Sequence, residues 1–167
     1  MSSTPSELQY MQYHGSQEAT YLNAIRQLIS GDLSEPYSAL DGKDNLVGVV
    51  ISKLEPHRGG PLRGYIAMLA VREEFRGKGI ATKLVCMAVD AMIEQNADEI
   101  ALETEVTNTA AMKLYERLGF LKSKKLHRYY LNGNSAFRFL LYLKEHSAIY
   151  DEEHDIETRL PEPPPSA

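Results

Sequence analysis

The chain has one cysteine, Cys86, no tryptophan and no long uninterrupted apolar run. A lone thiol excludes a disulfide framework and fits an intracellular, cytoplasmic protein. Without about 18 or more consecutive apolar residues, a helical membrane span is excluded. The segment Met1-Ser2-Ser3-Thr4-Pro5-Ser6-Glu7 carries neither a basic n-region nor an apolar h-region, so no secretory signal is expected there. No Cys/His/Asp cluster has ligand spacing, so no metal is expected, and His57 and His127 receive no role. Neither a G-x-G-x-x-G fingerprint nor a phosphate loop ending Gly-Lys-Ser/Thr occurs.

What is present suffices for one domain: 167 residues, 43% of them hydrophobic. The formal charge of -5 lies in the last 24 residues, where seven acidic side chains (Glu145, Asp151, Glu152, Glu153, Asp155, Glu157, Glu162) face two basic ones, Lys144 and Arg159. Four of the eight prolines, Pro161, Pro163, Pro164 and Pro165, fall there too. Residues 144–167 therefore read as an acidic, Pro-rich, disordered tail. Residues 1–143 read as a charge-balanced domain, so overall acidity does not describe its surface; neither DNA binding nor membrane contact is expected.

Ser16 to Ile29 has helical spacing and stops at Ser30-Gly31. Asn45 to Leu54 and Gly64 to Val71 read as strands, joined by a loop rich in proline and glycine. Gly79 to Gln95 sets Ile80, Leu84, Met87, Ala88, Ala91 and Met92 on one helical face. Glu99 to Val106 is a further strand, and Asn108 to Leu118 a helix closed by Gly119. Phe120 to Leu131 and Ser135 to Leu143 read as the last two strands, turned by Asn132-Gly133. This order predicts an α/β or α+β fold with a central mixed sheet flanked by helices.

The segment from Met68 to Ala81 (MLAVREEFRGKGIA) carries the most chemical information. A strand ends, a glycine-containing turn follows, and a helix opens at Gly79 with unpaired N–H groups suited to a phosphate or pyrophosphate. Arg72, Arg76, Lys78 and Lys83 surround that opening. By themselves, two glycines could equally make a tight turn beside a solvated cationic face.

Two motifs decide between these readings. Arg76, Gly79 and Ala81 match Q/R-x-x-G-x-G/A, and Asn108 to Phe120 (NTAAMKLYERLGF) matches N-x-x-A-x-x-x-Y-x-x-x-G-F. Together they resemble the GNAT family of acetyltransferases. Leu33 to Ser38 (LSEPYS), Arg63 to Ile66, Leu102 to Glu105 and Arg128 to Asn132 are further similar to the catalytic subunits of NatC N-terminal acetyltransferases. The resemblance implies a GNAT fold and acetyl-CoA as co-substrate. It implies acetylation of nascent chains beginning Met-Leu, Met-Ile or Met-Phe, with NatC auxiliary subunits as partners and ribosome association through them.

It also implies roles for individual residues. Leu69 and Val71 would meet the pantetheine arm through their backbones. Arg76, Gly77, Lys78, Gly79, Ile80 and Ala81 would hold the pyrophosphate, and Asn108 would contact the cofactor. Strand alternation puts Glu103 and Glu105 on one face, and the family position implies Glu103 as base. Tyr115 would protonate or hydrogen-bond the CoA thiolate, although its register also permits core packing. Leu33, Glu35 and Tyr37, from a loop, and Tyr65, Tyr129 and Tyr130, from strands facing it, would bind the substrate.

One departure stands out. After Ser38 the family pattern continues with a helix and a strand, roughly fifteen to twenty residues at average lengths, whereas here Ala39 to Asn45 follow directly. Only Ala39 to Asp41 could be a remnant of that strand. The expectation is that Asn45 to Leu54 becomes a sheet edge or pairs with Leu8 to Tyr13. Cofactor binding should survive and peptide turnover should be the function at risk, as in a shortened gene model or splice form. A GNAT acting on lysine or small amines, and a non-catalytic acetyl-CoA-binding or assembly module, are the competing readings.

Overall fold

The computed structural model describes residues 8–12, 37–43 and 45–144. The helix expected at Ser16 to Ile29, Leu33 and Glu35, and the tail beyond Lys144 lie outside them. The strands are β1 (Gln9–Gln12), β2 (Tyr37–Leu40), β3 (Leu46–Pro56), β4 (Leu62–Val71), β5 (Glu99–Glu105), β6 (Leu121–Leu126) and β7 (Ala136–Tyr142). Helix α1 (Ile80–Glu94) crosses from β4 to β5, and α2 (Thr109–Arg117) from β5 to β6.

The seven strands form one sheet in the order β1-β2-β3-β4-β5-β7-β6. Its pairings are antiparallel except for β4 with β5. That parallel pairing covers only Arg63↔Glu99, Gly64↔Ile100 and Tyr65↔Ala101. Immediately beyond it, the register of β3 against β4 jumps from Ser52↔Ile66 to Ile51↔Met68, leaving Ala67 as an extra residue in β4. Such a bulge bends its strand and increases the local twist. β4 therefore leaves β5, and the sheet opens between them.

Apolar residues of α1 close one face of the sheet. Ile80, Leu84, Val85, Ala88 and Met92 are buried against Val47, Val50, Ile66 and Ile100. Met87 and Ala91, expected on this face, are half-buried, whereas Val85 turns fully inward. Two glycines set the helix height. A Cβ at Gly48 would lie 3.1 Å from Leu84 Cδ1, and one at Gly64 would overlap Met92 Sδ. At α2, Asn108 Oδ1 accepts from Ala111 N at 3.1 Å, and Gly119 follows in the left-handed region at φ 92°. Both ends of this helix are thus fixed by local residue choice.

Two expectations need correction. β3 is neither an edge nor a direct partner of the N-terminal segment. β2 lies between, pairing Tyr37↔Val50 on one side and Tyr37↔Gln12 on the other. Tyr37–Leu40 makes a strand because Ser38, Ala39 and Leu40 can all be buried beside β3. The ladder of the last hairpin also ends earlier than a two-residue Asn-Gly turn would require. Leu126↔Ala136 is the last pair of its ladder, so residues 127–135 form a loop. Within it, Gly133 N donates to Tyr130 O and Asn134 N to Asn132 Oδ1, an Asx-type turn. Asn134 Nδ2 ties the loop to Glu105 Oε1 at 2.7 Å. Tyr129 and Tyr130 therefore stand in a loop and not on a strand.

Lys144 is tied to the turn ahead of β5. Its Nζ donates to Asp98 Oδ1 at 2.7 Å, which holds the Asp98 carboxyl below the usual carboxylate range, helped by the Leu62 N–H. Among the described residues, no helix is long and apolar enough to cross a membrane.

Candidate active site

At the free end of β4, a 3-10 turn at Glu73–Phe75 leads through Gly77 and Gly79 into α1. Both glycines are left-handed, with φ 74° and 78°, and nothing lies within 4 Å of where their Cβ atoms would be. The first intrahelical bond beside them is Lys83 N to Gly79 O. The N–H groups of Ile80, Ala81 and Thr82 accordingly have no intrahelical acceptor. Arg72, Arg76, Lys78 and Lys83 are exposed around them. Arg72 pairs with Glu74 at 3.2 Å, and Lys78 Nζ sits 5.0 Å from the Phe75 ring centroid. Arg76 Nε donates to Val71 O at 3.0 Å, so this arginine braces the turn and occupies one lone pair of a carbonyl expected to face pantetheine.

These residues fit an anionic cofactor: open backbone amides, a helix N-terminus, and cations with room in front of them. A Gly79→Val variant tests the fit. A left-handed non-glycine residue costs about 1–2 kcal/mol, which the fold should survive because the added Cβ meets no neighbour. Calorimetry should then show acetyl-CoA affinity at least tenfold weaker with the unfolding transition retained. Unchanged affinity would remove this turn from the cofactor site.

On the other side of the opening, a cleft of about 210 Å³ is lined by Lys53, Glu55, His57, Arg63, Tyr65, Ala101, Glu103, Tyr129 and Arg138. Glu103 stands two residues beyond the last β4–β5 pair, and its side chain is only 3% exposed. Its Oε1 accepts from Arg138 Nε at 2.8 Å and from Arg138 Nη2 at 2.7 Å. Its Oε2 accepts from the Tyr65 hydroxyl at 2.7 Å. Burial and that carboxylate push the Tyr65 phenol well above its ordinary range, so it stays a proton donor. Lower in the cleft, Arg63 bridges Glu99 and its Nη1 lies 3.1 Å from His57 Nε2.

The expected site residues thus divide. Glu103, Tyr65 and Tyr129 meet in the cleft, and half-buried Tyr130 is close enough for its phenol to be raised by burial and by Tyr129, Glu103 and Glu105. Tyr115 is absent from the cleft lining. It is buried against Phe120 and Phe139, at ring-centroid distances of 5.7 and 6.0 Å, and burial pushes its phenol up to about 12. Tyr37 lies in β2, packed at the core margin. Asn108 caps α2 with its side-chain oxygen.

Sequence reasoning missed Arg138, Arg63 and His57. One signal for Arg138 was available: a single cation inside the apolar strand Phe137-Arg138-Phe139-Leu140-Leu141.

The model of the acetyltransferase (GNAT) family matches residues 5–120. The chain belongs to the GNAT acetyltransferase family. Among its GNAT relatives, N-alpha-acetyltransferase 30 of Schizosaccharomyces pombe is 54% identical over 139 residues, covering 73% of this chain and 92% of that protein. N-alpha-acetyltransferase 30 of Saccharomyces cerevisiae is 46% identical over 145 residues, covering 74% and 82%. Among solved structures, a chain of the NatC complex crystallised with Gag peptide and CoA superposes with a TM-score of 0.73 at 42% identity, covering 83% of this chain and 99% of that one.

Proposed function

We propose that this GNAT transfers the acetyl group of acetyl-CoA to the N-terminal α-amine of nascent proteins beginning Met-Leu, Met-Ile or Met-Phe, as the catalytic subunit of a NatC complex in the cytoplasm. Ribosome association would come through the auxiliary subunits. The observation that carries the reading is the Glu103 carboxylate at the opening between β4 and β5, on a chain about half identical to an N-alpha-acetyltransferase 30.

Acetyl-CoA supplies an activated thioester, and this chain's residues supply its binding, orientation and a proton acceptor. The turn from Arg76 to Ala81 would hold the pyrophosphate. A peptide α-amine has a reference pKa of about 8, so a minority is already neutral at physiological pH. Glu103 need accept only one proton, directly or through a water. With its phenol raised to about 12, Tyr115 keeps its proton near neutrality, which suits a hydrogen-bond donor to the leaving thiolate. No covalent acyl-enzyme is required, and the half-buried thiol of Cys86 takes no part.

Mass spectrometry after incubation with acetyl-CoA and a Met-Leu peptide, an internal-lysine peptide or a polyamine separates the substrate classes. Acetylation at the Met-Leu N-terminus alone is expected. Modification of lysine or polyamine with the Met-Leu peptide untouched would overturn the proposal.

A second reading concerns the extent of activity. The match to the S. pombe relative runs over 139 positions but occupies 73% of this chain, about 122 of 167 residues. About 17 of its positions therefore have no residue here, consistent with the break after Ser38. With Tyr37 drawn into β2 instead of a substrate loop, this form would bind acetyl-CoA yet acetylate peptide poorly. Calorimetry with acetyl-CoA and turnover of a Met-Leu peptide, beside a version with the segment restored, decide this. Absent cofactor binding or equal turnover rates would overturn it.

A further inference from the structure

We propose that Arg138 is a positioning residue for Glu103. By fixing one carboxylate oxygen from β7, it presents the other, which Tyr65 also holds, to the incoming amine. This rests on the acetyl-transfer reading above and adds a residue to it.

The geometry follows from the strand register. Arg138 is the direct cross-strand partner of Glu103. Both its hydrogen bonds end on Oε1, through Nε at 2.8 Å and Nη2 at 2.7 Å. On the opposite flank, β4 has already parted from β5, and the Tyr65 hydroxyl reaches Oε2 across the opening. The carboxylate is therefore gripped from both neighbouring strands, with a cation on one oxygen and a neutral donor on the other.

This asymmetry decides which oxygen can work. A carboxylate has about four lone-pair sites. On Oε1 two are directed at a guanidinium that never releases its protons. On Oε2 one is taken by Tyr65 and another remains for an amine or a bridging water. The Glu103 side chain is 3% exposed, and Arg138 sets a cation directly against it. Lysine would keep the charge but lose the two-pronged direction.

The test uses the full chain, alone and with its auxiliary subunits, as wild type, Arg138→Gln and Arg138→Lys. Small misplacements of catalytic groups can cost about 100-fold. Arg138→Gln should accordingly lower kcat roughly 10- to 100-fold, with the KM for a Met-Leu peptide and the Kd for acetyl-CoA within about twofold. Arg138→Lys should recover part of the loss. A kcat within about twofold of wild type in Arg138→Gln, or a loss residing in peptide KM, would overturn the proposal.

A second readout does not depend on turnover. In spectra of protein labelled with 15N-arginine, the Arg138 Nε–H should be protected from exchange in wild type and lose that protection in Glu103→Ala, which removes the accepting oxygen. Protection that is unchanged would show that no such clamp exists. If wild type acetylates no amine at all, the functional reading fails, and these spectra still decide the clamp.

Discussion

Glu103→Gln should lower kcat for a Met-Leu peptide roughly 100- to 1,000-fold, within the range usual for loss of a general base, while acetyl-CoA affinity stays within about twofold. The substitution preserves shape. The amide oxygen can still accept from Arg138, and the amide nitrogen can donate to the Tyr65 hydroxyl, which reverses its role. What disappears is a proton acceptor at the mouth of the opening. The cofactor turn lies at the other end of the β4 segment, where Arg76 braces Val71 O, whereas Glu103 is held by Tyr65 and Arg138. Steady-state kinetics and calorimetry on the same preparation check both halves. A variant within threefold of wild type would remove Glu103 from proton transfer. A parallel loss of acetyl-CoA binding would mean that the carboxylate supports the fold of the site.

How much was legible in the sequence depended on how local the determinants are. The turn from β4 into α1 could be read directly, because a β-rich run, two glycines and an apolar helical face follow one another within a few residues. The capping of α2 by Asn108 and Gly119 was legible for the same reason. Strand β2 was legible only as a remnant at Ala39 to Asp41: Tyr37–Leu40, four residues without alternation, become a strand because β1 and β3 flank them and Ser38, Ala39 and Leu40 are buried together. The early end of the last hairpin's ladder was hidden too. Asn132-Gly133 does turn, but the ladder ends at Leu126↔Ala136, which carries Tyr129 and Tyr130 into a loop. Glu103 was readable as a carboxylate on a polar strand face. Its partners were not, since Arg138 lies 35 residues away in sequence and Tyr65 38. Tyr115 could be read from its helical register as facing inward, and its ring packs against Phe120 and Phe139.

Below the cleft, Glu99→Leu should cost about 3–5 kcal/mol of stability, the range for breaking a buried ion pair from one side. Glu99 is fully buried, and the Arg63 it holds is 7% exposed. The two face each other at the first β4–β5 pair, so their bridge fastens the two strands just before they part. Removing the carboxylate leaves a guanidinium in an interior it cannot leave without separating those strands. The loss thus comes mainly from a buried guanidinium deprived of its Glu99 carboxylate. The double variant Arg63→Met/Glu99→Leu removes both charges and should recover most of the stability, since apolar replacements of buried pairs are often neutral or stabilising. Urea unfolding of wild type, both single variants and the double variant measures the coupling. A double variant as unstable as the sum of the singles would mean that each charge contributes through other contacts. A recovered double variant that has lost turnover would instead separate two roles for Arg63: fastening the strands and, through His57, shaping the cleft wall.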